Sequence, residues 1–251
     1  MALKINVITQ ARIGSTRFPG KILKKINGKS LLEIHIERLL RSNNIDNVIV
    51  ATTKSLEDDK IEVKCKLWGC DVFRGNENDV LDRYYKASLL FKSDYIVRVT
   101  SDCPLIDPAL IDQMVDFTIN NKLDYCSNTL IENYPDGQDV EIFTFDSLKK
   151  TWLEAKLNSE REHVTPYMKM NSTFYDKNEF VSANYPCRGN FNSIRMTVDE
   201  KIDFKLIKIL VQKLGIEPSW REYVDFIVKN NLKINQNIIR NEGYLKSLKN
   251  D

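Results

Sequence analysis

The sequence predicts an α/β protein with a doubly wound, mostly parallel sheet, and three observations carry that expectation. Short β-rich runs alternate with helical patterns through the first half of the chain. The second of these runs, Asn47 to Thr52, is nearly all apolar, as a strand covered on both faces requires. A basic loop containing glycine follows the first run directly, where an open parallel sheet places its ligand crevice.

The elements follow in order. Leu3 to Thr9 is the first expected strand. Ser30 to Arg41 is expected to be a helix, because Ser30 and Glu33 make a capping box and Leu31, Leu32, Ile34, Leu39 and Leu40 supply an apolar face. After the strand at Asn47 to Thr52 come a helix at Leu56 to Trp68, a short strand at Asp71 to Phe73, a helix at Asp79 to Leu90 and a strand at Tyr95 to Thr100. Pro108 opens a helix reaching Asn120, since proline is tolerated at the first helical position. Further on, Asp139 to Phe145 alternates like a half-exposed strand, Ser147 to Leu157 has a helical pattern and Ser193 to Val198 is a further expected strand. The polar, aromatic stretch Asn171 to Asn192 is expected to form a substrate-side lobe or a dimerisation extension, and Lys201 to Leu248 an amphipathic helical tail packed on the sheet. A single domain results, with a nucleotide-binding half at 1–124, a substrate or dimerisation part at 125–200 and terminal helices at 201–251.

A chain of 251 residues buries a sizeable core without disulfides. Its net charge of +2 is too small for nucleic-acid binding by bulk electrostatics, so any anion must be recognised by locally placed cations. The first residues run straight into a strand, and no apolar stretch reaches the roughly 18 residues of a membrane span. The expectation is a cytoplasmic protein without a membrane or nucleic-acid partner. Five scattered cysteines, Cys65, Cys70, Cys103, Cys126 and Cys187, suit a reducing compartment, and with only two histidines a zinc site is not expected.

The loop from Gln10 to Lys21 has the residues to hold a polyphosphate. Gly14 allows close backbone approach, Ser15 and Thr16 offer hydroxyl and amide donors, and Arg12, Arg17 and Lys21 supply three cations within ten residues. It is neither a Walker loop nor the three-glycine dinucleotide fingerprint, so side-chain cations must do most of the gripping. A solvated basic turn is the plainer reading, which the position after the first strand weighs against. Asp102, in Thr100-Ser101-Asp102-Cys103-Pro104, ends a buried strand beside the same crevice and is placed to hold Mg²⁺, which takes only one or two protein carboxylates. Asp199 follows the late expected strand and could bring a second carboxylate to that metal or to a second one; a helix cap is the plainer reading, and the two roles are compatible. Arg74 with Gly75 and Asp79, Asp136 with Asp139 and Glu141, and Arg161 with His163 form three further polar clusters, each of which surface charge explains as well as function does. Asp139 and Glu141 share one face if their segment is a strand. His35, on an amphipathic helix, is expected to be structural.

Taken together, these motifs resemble the cytidylyltransferases. Gln10-Ala11-Arg12, Gly14-Ser15-Thr16-Arg17 and Pro19-Gly20-Lys21 match their opening, and the likeness continues through Phe73-Arg74-Gly75, Asp79 to Tyr84, Ser101 to Asp107, Pro135-Asp136-Gly137 with Asp139-Val140-Glu141, and Arg161 to Pro166, spanning about Val7 to Asp199. The branch it is most similar to is the spore-coat polysaccharide biosynthesis protein F type, related to the synthetases that activate acidic sugars as CMP derivatives. Phe18 replaces a commoner leucine, and Ser101 a frequent glycine.

The resemblance implies a nucleotide-diphospho-sugar transferase-like sheet, CTP and Mg²⁺, and a homodimer. It implies transfer of CMP to an anionic acceptor, an acidic sugar or a phosphorylated small acid or polyol, with release of pyrophosphate for a surface glycan precursor. Arg12 and Lys21 would hold the triphosphate and Asp102 and Asp199 the metal. The nucleotide side would take in Gln10, Ala11, Gly14, Ser15, Thr16, Arg17, Thr52, Arg74, Gly75, Asp79 and Ser101. On the acceptor side stand Asp136, Asp139, Glu141, Arg161, His163, Arg188 and Arg195. Two rivals remain at this stage: a glycosyltransferase of related architecture, although Ser101-Asp102-Cys103 lacks the usual Asp-x-Asp, and a nucleotide-binding module without catalysis.

Overall fold

A computed structural model describes residues 3–15, 17–232, 234, 235, 238 and 240–251. Its first half follows the expected alternation. Strand β1 (Ile5–Gln10) leads into the basic loop and then a small hairpin of β2 (Lys25–Ile26) and β3 (Lys29–Ser30), turned by Asn27 and Gly28, both at positive φ as a tight hairpin turn requires. Helix α1 (Leu31–Leu39) starts on the Ser30 capping box, with the Ser30 Oγ accepting from the Glu33 N–H at 3.3 Å and the Glu33 carboxylate accepting from the Ser30 N–H at 3.2 Å. Next come β4 (Asn47–Thr53), α2 (Asp59–Trp68), β5 (Asp71–Gly75), α3 (Val80–Leu90), β6 (Tyr95–Thr100) and α4 (Pro108–Asn120). Asp79 and Asp107, each just ahead of its helix, are N-caps, their carboxylates accepting from Asp82 and Ala109.

The second half is less local in origin. It contributes β7 (Tyr125–Ser127), β8 (Glu141–Thr144), α5 (Phe145–Glu154), α6 (Asn158–His163), α7 (Pro166–Met170), β9 (Ser182–Asn184), α8 (Lys201–Leu214), α9 (Trp220–Lys229) and α10 (Glu242–Ser247). The seven-stranded sheet runs β5-β4-β1-β6-β8-β7-β9. Only β8 is antiparallel to its neighbours, so the sheet is mostly parallel. Two apolar layers cover it. One joins α1, α4, α8 and α9 to β1 and β4, and the other joins α3, α5 and α7 to the opposite face. Strand order reverses between β1 and β6, whose carboxyl ends, Gln10 and Thr100, stand side by side. A crevice for a ligand opens at such a switch point.

Two expectations need correction. Ser193 to Val198 is no strand: Arg195 forms a lone bridge to Asp136, and the segment spends its backbone bonds on two loops, Asp136 N–H to the Ile194 carbonyl (2.9 Å), Met196 N–H to the Asp136 carbonyl (2.6 Å) and Val198 N–H to the Asp102 carbonyl (2.7 Å). The helix expected at Ser147 to Leu157 begins at Phe145 and stops at Glu154, because the Glu160 carboxylate takes the N–H groups of Lys156 (2.9 Å) and Leu157 (3.0 Å) and starts α6. The terminal helices are α8, α9 and α10, and part of the stretch between the last two lies outside the described residues. Asn171 to Asn192 supplies the edge strand β9, paired with β7.

Among the described residues no helix is long and apolar enough to cross a membrane. All five cysteines are free, and four of them are buried. His35 is structural, as expected. Its Nδ1 donates to the Cys103 carbonyl at 2.9 Å, which leaves Nε2 to accept from the Thr9 hydroxyl at 3.1 Å. Burial lowers its pKa to about 4, consistent with a neutral ring.

Candidate active site

Two adjoining cavities, of about 960 and 410 Å³, open at the switch point and share Gln10, Arg17, Asp102, His163 and Asp199 on their walls. The basic loop forms one side of the larger. Phe18 anchors it, buried edge-on against Phe204 of α8, and the Asp58 carboxylate takes the Ile13 N–H at 2.8 Å. Gly20, at φ +64°, then turns the chain into the 3-10 turn Lys21–Leu23, which aims Lys21 inward.

The Lys21 ammonium sits between two carboxylates, 3.0 Å from Asp102 Oδ2 and 3.1 Å from Asp199 Oδ1. These aspartates come from chain positions almost a hundred residues apart, and backbone bonds bring them together: the Asp102 carbonyl accepts from both the Val198 N–H and the Thr197 hydroxyl (3.2 Å). Behind them Gly137, at φ +102°, lies so close to the chain that a Cβ there would stand 2.6 Å from Met196 C and Thr197 N. A side chain at 137 would force the Met196–Thr197 backbone to shift, two residues ahead of Asp199. Burial on its own would raise the Asp102 pKa and lower that of Lys21, yet their mutual attraction outweighs it, so the carboxyl is held well below and the ammonium above the ordinary range.

Asp199 is surrounded by cations. Arg17 reaches Oδ1 at 2.8 Å and Arg195 reaches Oδ2 at 2.9 Å. Arg195 in turn is buried and clamped by Asp203, through Nε at 3.0 Å, and by Asp136 through NH1. Its expected place on the acceptor wall is therefore qualified: it lines the smaller cavity, but every guanidinium nitrogen is already engaged by a carboxylate. Asp203 also accepts from the N–H groups of Asp199 and Glu200, both at 3.0 Å, at the start of α8. The sequence signal for it was slight, an acidic residue four places after Asp199.

The remaining expected residues divide. Gln10, Ala11, Arg12, Ser15, Arg17, Lys21, Asp79 and Ser101 line the larger cavity. Arg12 there makes an exposed pair with Glu77 at 2.7 Å, the kind of contact that holds a side chain weakly. Thr16 lies outside the described residues. Gly14 and Thr52 line neither cavity. Arg74 is not brought to the crevice at all, being bonded to Asp59, Glu62 and the carbonyls of Thr53 and Ser55. Gly75 serves packing, since a Cβ would meet the Arg83 side chain at 2.7 Å. Asp136, Asp139, Glu141 and His163 line the smaller cavity, whereas Arg161, paired with Asp79 at 2.7 Å, stands on the larger. Glu141 is tied to Arg98 and to the Tyr125 hydroxyl (2.6 Å), and Asp139 to Arg240 (2.5 Å). Arg188 lines neither.

Sequence reasoning missed the contribution of α10. Glu242 pairs with Arg17 at 3.5 Å and Tyr244 packs edge-on against His163, both on the cavity walls. Nothing local in the sequence marks a tail residue for a loop more than two hundred positions away.

Burial, then Arg98, lowers the His163 pKa to about 4, so the ring meets a ligand as a neutral hydrogen-bonding group; among the described residues its Nε2 has no hydrogen-bond partner. We expect its ring signals to titrate near pH 4 by NMR. Because the unfolded imidazole binds a proton near pH 6.5 and the folded one does not, this residue's contribution to stability is full above 6.5 and is lost as pH falls towards 4. A midpoint of 6.5 in the folded protein would show the ring to be solvated.

An open parallel sheet whose switch point gathers a basic loop and two carboxylates is the architecture of a nucleotidyltransferase. The family model for cytidylyltransferases matches residues 6–225, and the chain belongs to that family. It is similar to an uncharacterized protein, MJ1063, of Methanocaldococcus jannaschii (42% identical, 91% of this chain and 92% of that one) and to the spore coat polysaccharide biosynthesis protein SpsF of Bacillus subtilis (37%, 84% and 88%). A 3-deoxy-manno-octulosonate cytidylyltransferase of Pelobacter propionicus matches a shorter part, 35% identical over 45% of this chain and 44% of that one. Among solved structures, a cytidylyltransferase from Leptospira borgpetersenii superposes with a TM-score of 0.88 at 36% identity, covering 95% of this chain and all of that one.

Proposed function

We propose that this enzyme transfers CMP from CTP to an anionic small-molecule acceptor and releases pyrophosphate, with the nucleotide in the 960 Å³ cavity and the acceptor in the adjoining 410 Å³ one. The observation that carries this reading is the meeting of Arg17 and Lys21 with Asp102 and Asp199 where the two cavities join. In this reading residues 1–124 serve the nucleotide and 125–200 the acceptor.

The donor set suits Mg²⁺. Two carboxylates from separate loops already converge on one cation, the Lys21 ammonium, and both present hard oxygen atoms. Among the described residues no third carboxylate, histidine or cysteine completes an all-protein cage, which accords with an ion that keeps most of its waters. When bound to Asp102 and Asp199, Mg²⁺ would neutralise phosphate charge and lower the pKa of the attacking group.

The protein's own residues account for the rest. Lys21, Arg17 and Arg12 draw the triphosphate along the basic loop and offset the charge that gathers on the leaving pyrophosphate. An acceptor oxygen then attacks the α-phosphorus in line, forming one P–O bond as that to the β-phosphate bridging oxygen breaks. Arg195 holds Asp199 in place throughout, and neutral His163 offers the acceptor a hydrogen bond. A 2-keto acid sugar attacking through its anomeric hydroxyl is the acceptor favoured by similarity to the octulosonate enzyme, while similarity to SpsF favours a surface-polysaccharide precursor as the product.

The test is pyrophosphate release with CTP and Mg²⁺ across two acceptor panels, 2-keto acid sugars and phosphorylated small acids or polyols. Release dependent on a 2-keto acid sugar is expected. Release only with the phosphorylated panel would overturn the acceptor, and none with either would overturn the transfer.

A further inference from the structure

We propose that Lys21 is an intramolecular counter-ion occupying the divalent cation's place, and that nucleotide opens that place by drawing the ammonium onto its phosphates. This rests on the reading that Asp102 and Asp199 are the cation's ligands. Lys21 bridges the inward oxygens of both carboxylates, at 3.0 and 3.1 Å, with its side chain only 13% exposed. A divalent cation sharing those oxygens would stand within a few ångströms of the ammonium, where like charges repel strongly in a partly desolvated site. The two therefore exclude one another, and whichever leaves must find other partners.

The structure also distinguishes which cations can leave. Arg195 cannot, since buried Asp136 and Asp203 hold it from behind. Lys21 and Arg17 belong to the loop lining the larger cavity, so a triphosphate lying there offers both a replacement for the carboxylates they give up. Moving Lys21 from aspartate to phosphate exposes two carboxylate oxygens: Asp199 keeps Arg195 as its partner, and Asp102, whose one ion pair among the described residues is with Lys21, takes the divalent cation in its place. Nucleotide and divalent cation then bind with positive coupling, and the coupling is reciprocal by linkage.

The probe is Mn²⁺ alone, its binding to the full chain followed by electron paramagnetic resonance without nucleotide or acceptor, so that no turnover contributes. Lys21→Gln is expected to tighten Mn²⁺ binding about tenfold, and Lys21→Met likewise. Arg17→Gln removes the same charge from Asp199 alone and is expected to change it less than about threefold. An affinity for both Lys21 variants within about twofold of the unaltered protein would overturn the proposal, as would an equal gain from Arg17→Gln. The metal reading is tested separately by adding Asp102→Asn to Lys21→Gln. Loss of the gain supports Asp102 as ligand, whereas its persistence would remove Asp102 from the site and the proposal with it.

Discussion

Asp102→Ala is expected to lower pyrophosphate release from CTP by on the order of 10³-fold or more while the chain stays folded, because the carboxylate faces the shared mouth of both cavities rather than the core. Removing it leaves Lys21 with Asp199 as its remaining carboxylate, a contact that already exists, so no buried charge is stranded. The backbone bonds that fix the neighbouring segment run through the Asp102 carbonyl and survive the substitution. Stopped activity with an unchanged melting curve is the expected pair of results. A folded variant that kept near-normal turnover would show that Asp102 does not hold the metal.

Arg195→Ala is expected to act on the fold itself. Asp203 is fully buried and Asp136 nearly so, and both direct their carboxylates at this guanidinium, with Asp199 as the third. Taking away the partner of buried charges costs about 3–5 kcal/mol, since the remaining carboxylates keep their desolvation penalty without the compensating attraction. For a chain of this length that is a fall in melting temperature of roughly 10 °C. Burial alone would lower the Arg195 pKa, but the three carboxylates raise it above its ordinary value, so the cluster depends on a permanent cation. Arg195→Lys keeps the charge but not the fork and should recover only part of the loss. A melting temperature within about 2 °C of the unaltered protein would mean that the cluster relaxes or takes up water.

What was legible beforehand was local. The Ser30 capping box, the apolar run of β4 and the proline opening α4 each declare themselves within a few residues, and the structure has them. The basic loop was placed correctly at the carboxyl end of β1 because the strand signal runs directly into it, whereas the β2–β3 hairpin between the loop and α1 was not expected. Ser193 to Val198 misled because its alternation resembles a strand, whereas its hydrogen-bonding partners, Asp102 and Asp136, are decided by distant loops. Arg74 misled in a similar way. It was expected on the nucleotide side, but Asp59 and Glu62 of α2 hold it away from the crevice.

By itself, then, the sequence determined the alternating α/β order, the cationic loop after the first strand and the carboxylate after the fourth strand of the parallel series, since propensity, capping and side-chain periodicity act over a few residues. Only the tertiary structure decided that Lys21 lies between Asp102 and Asp199, that Arg195 supports the site from within the core and that Glu242 of α10 reaches Arg17. The contacts of Lys21 and Arg17 join positions from about eighty to more than two hundred residues apart, and that of Arg195 with Asp136 joins two loops 59 residues apart. An ion pair depends on where its two charges finish in space and how far water is excluded between them, and neither quantity is written in the neighbours of either residue.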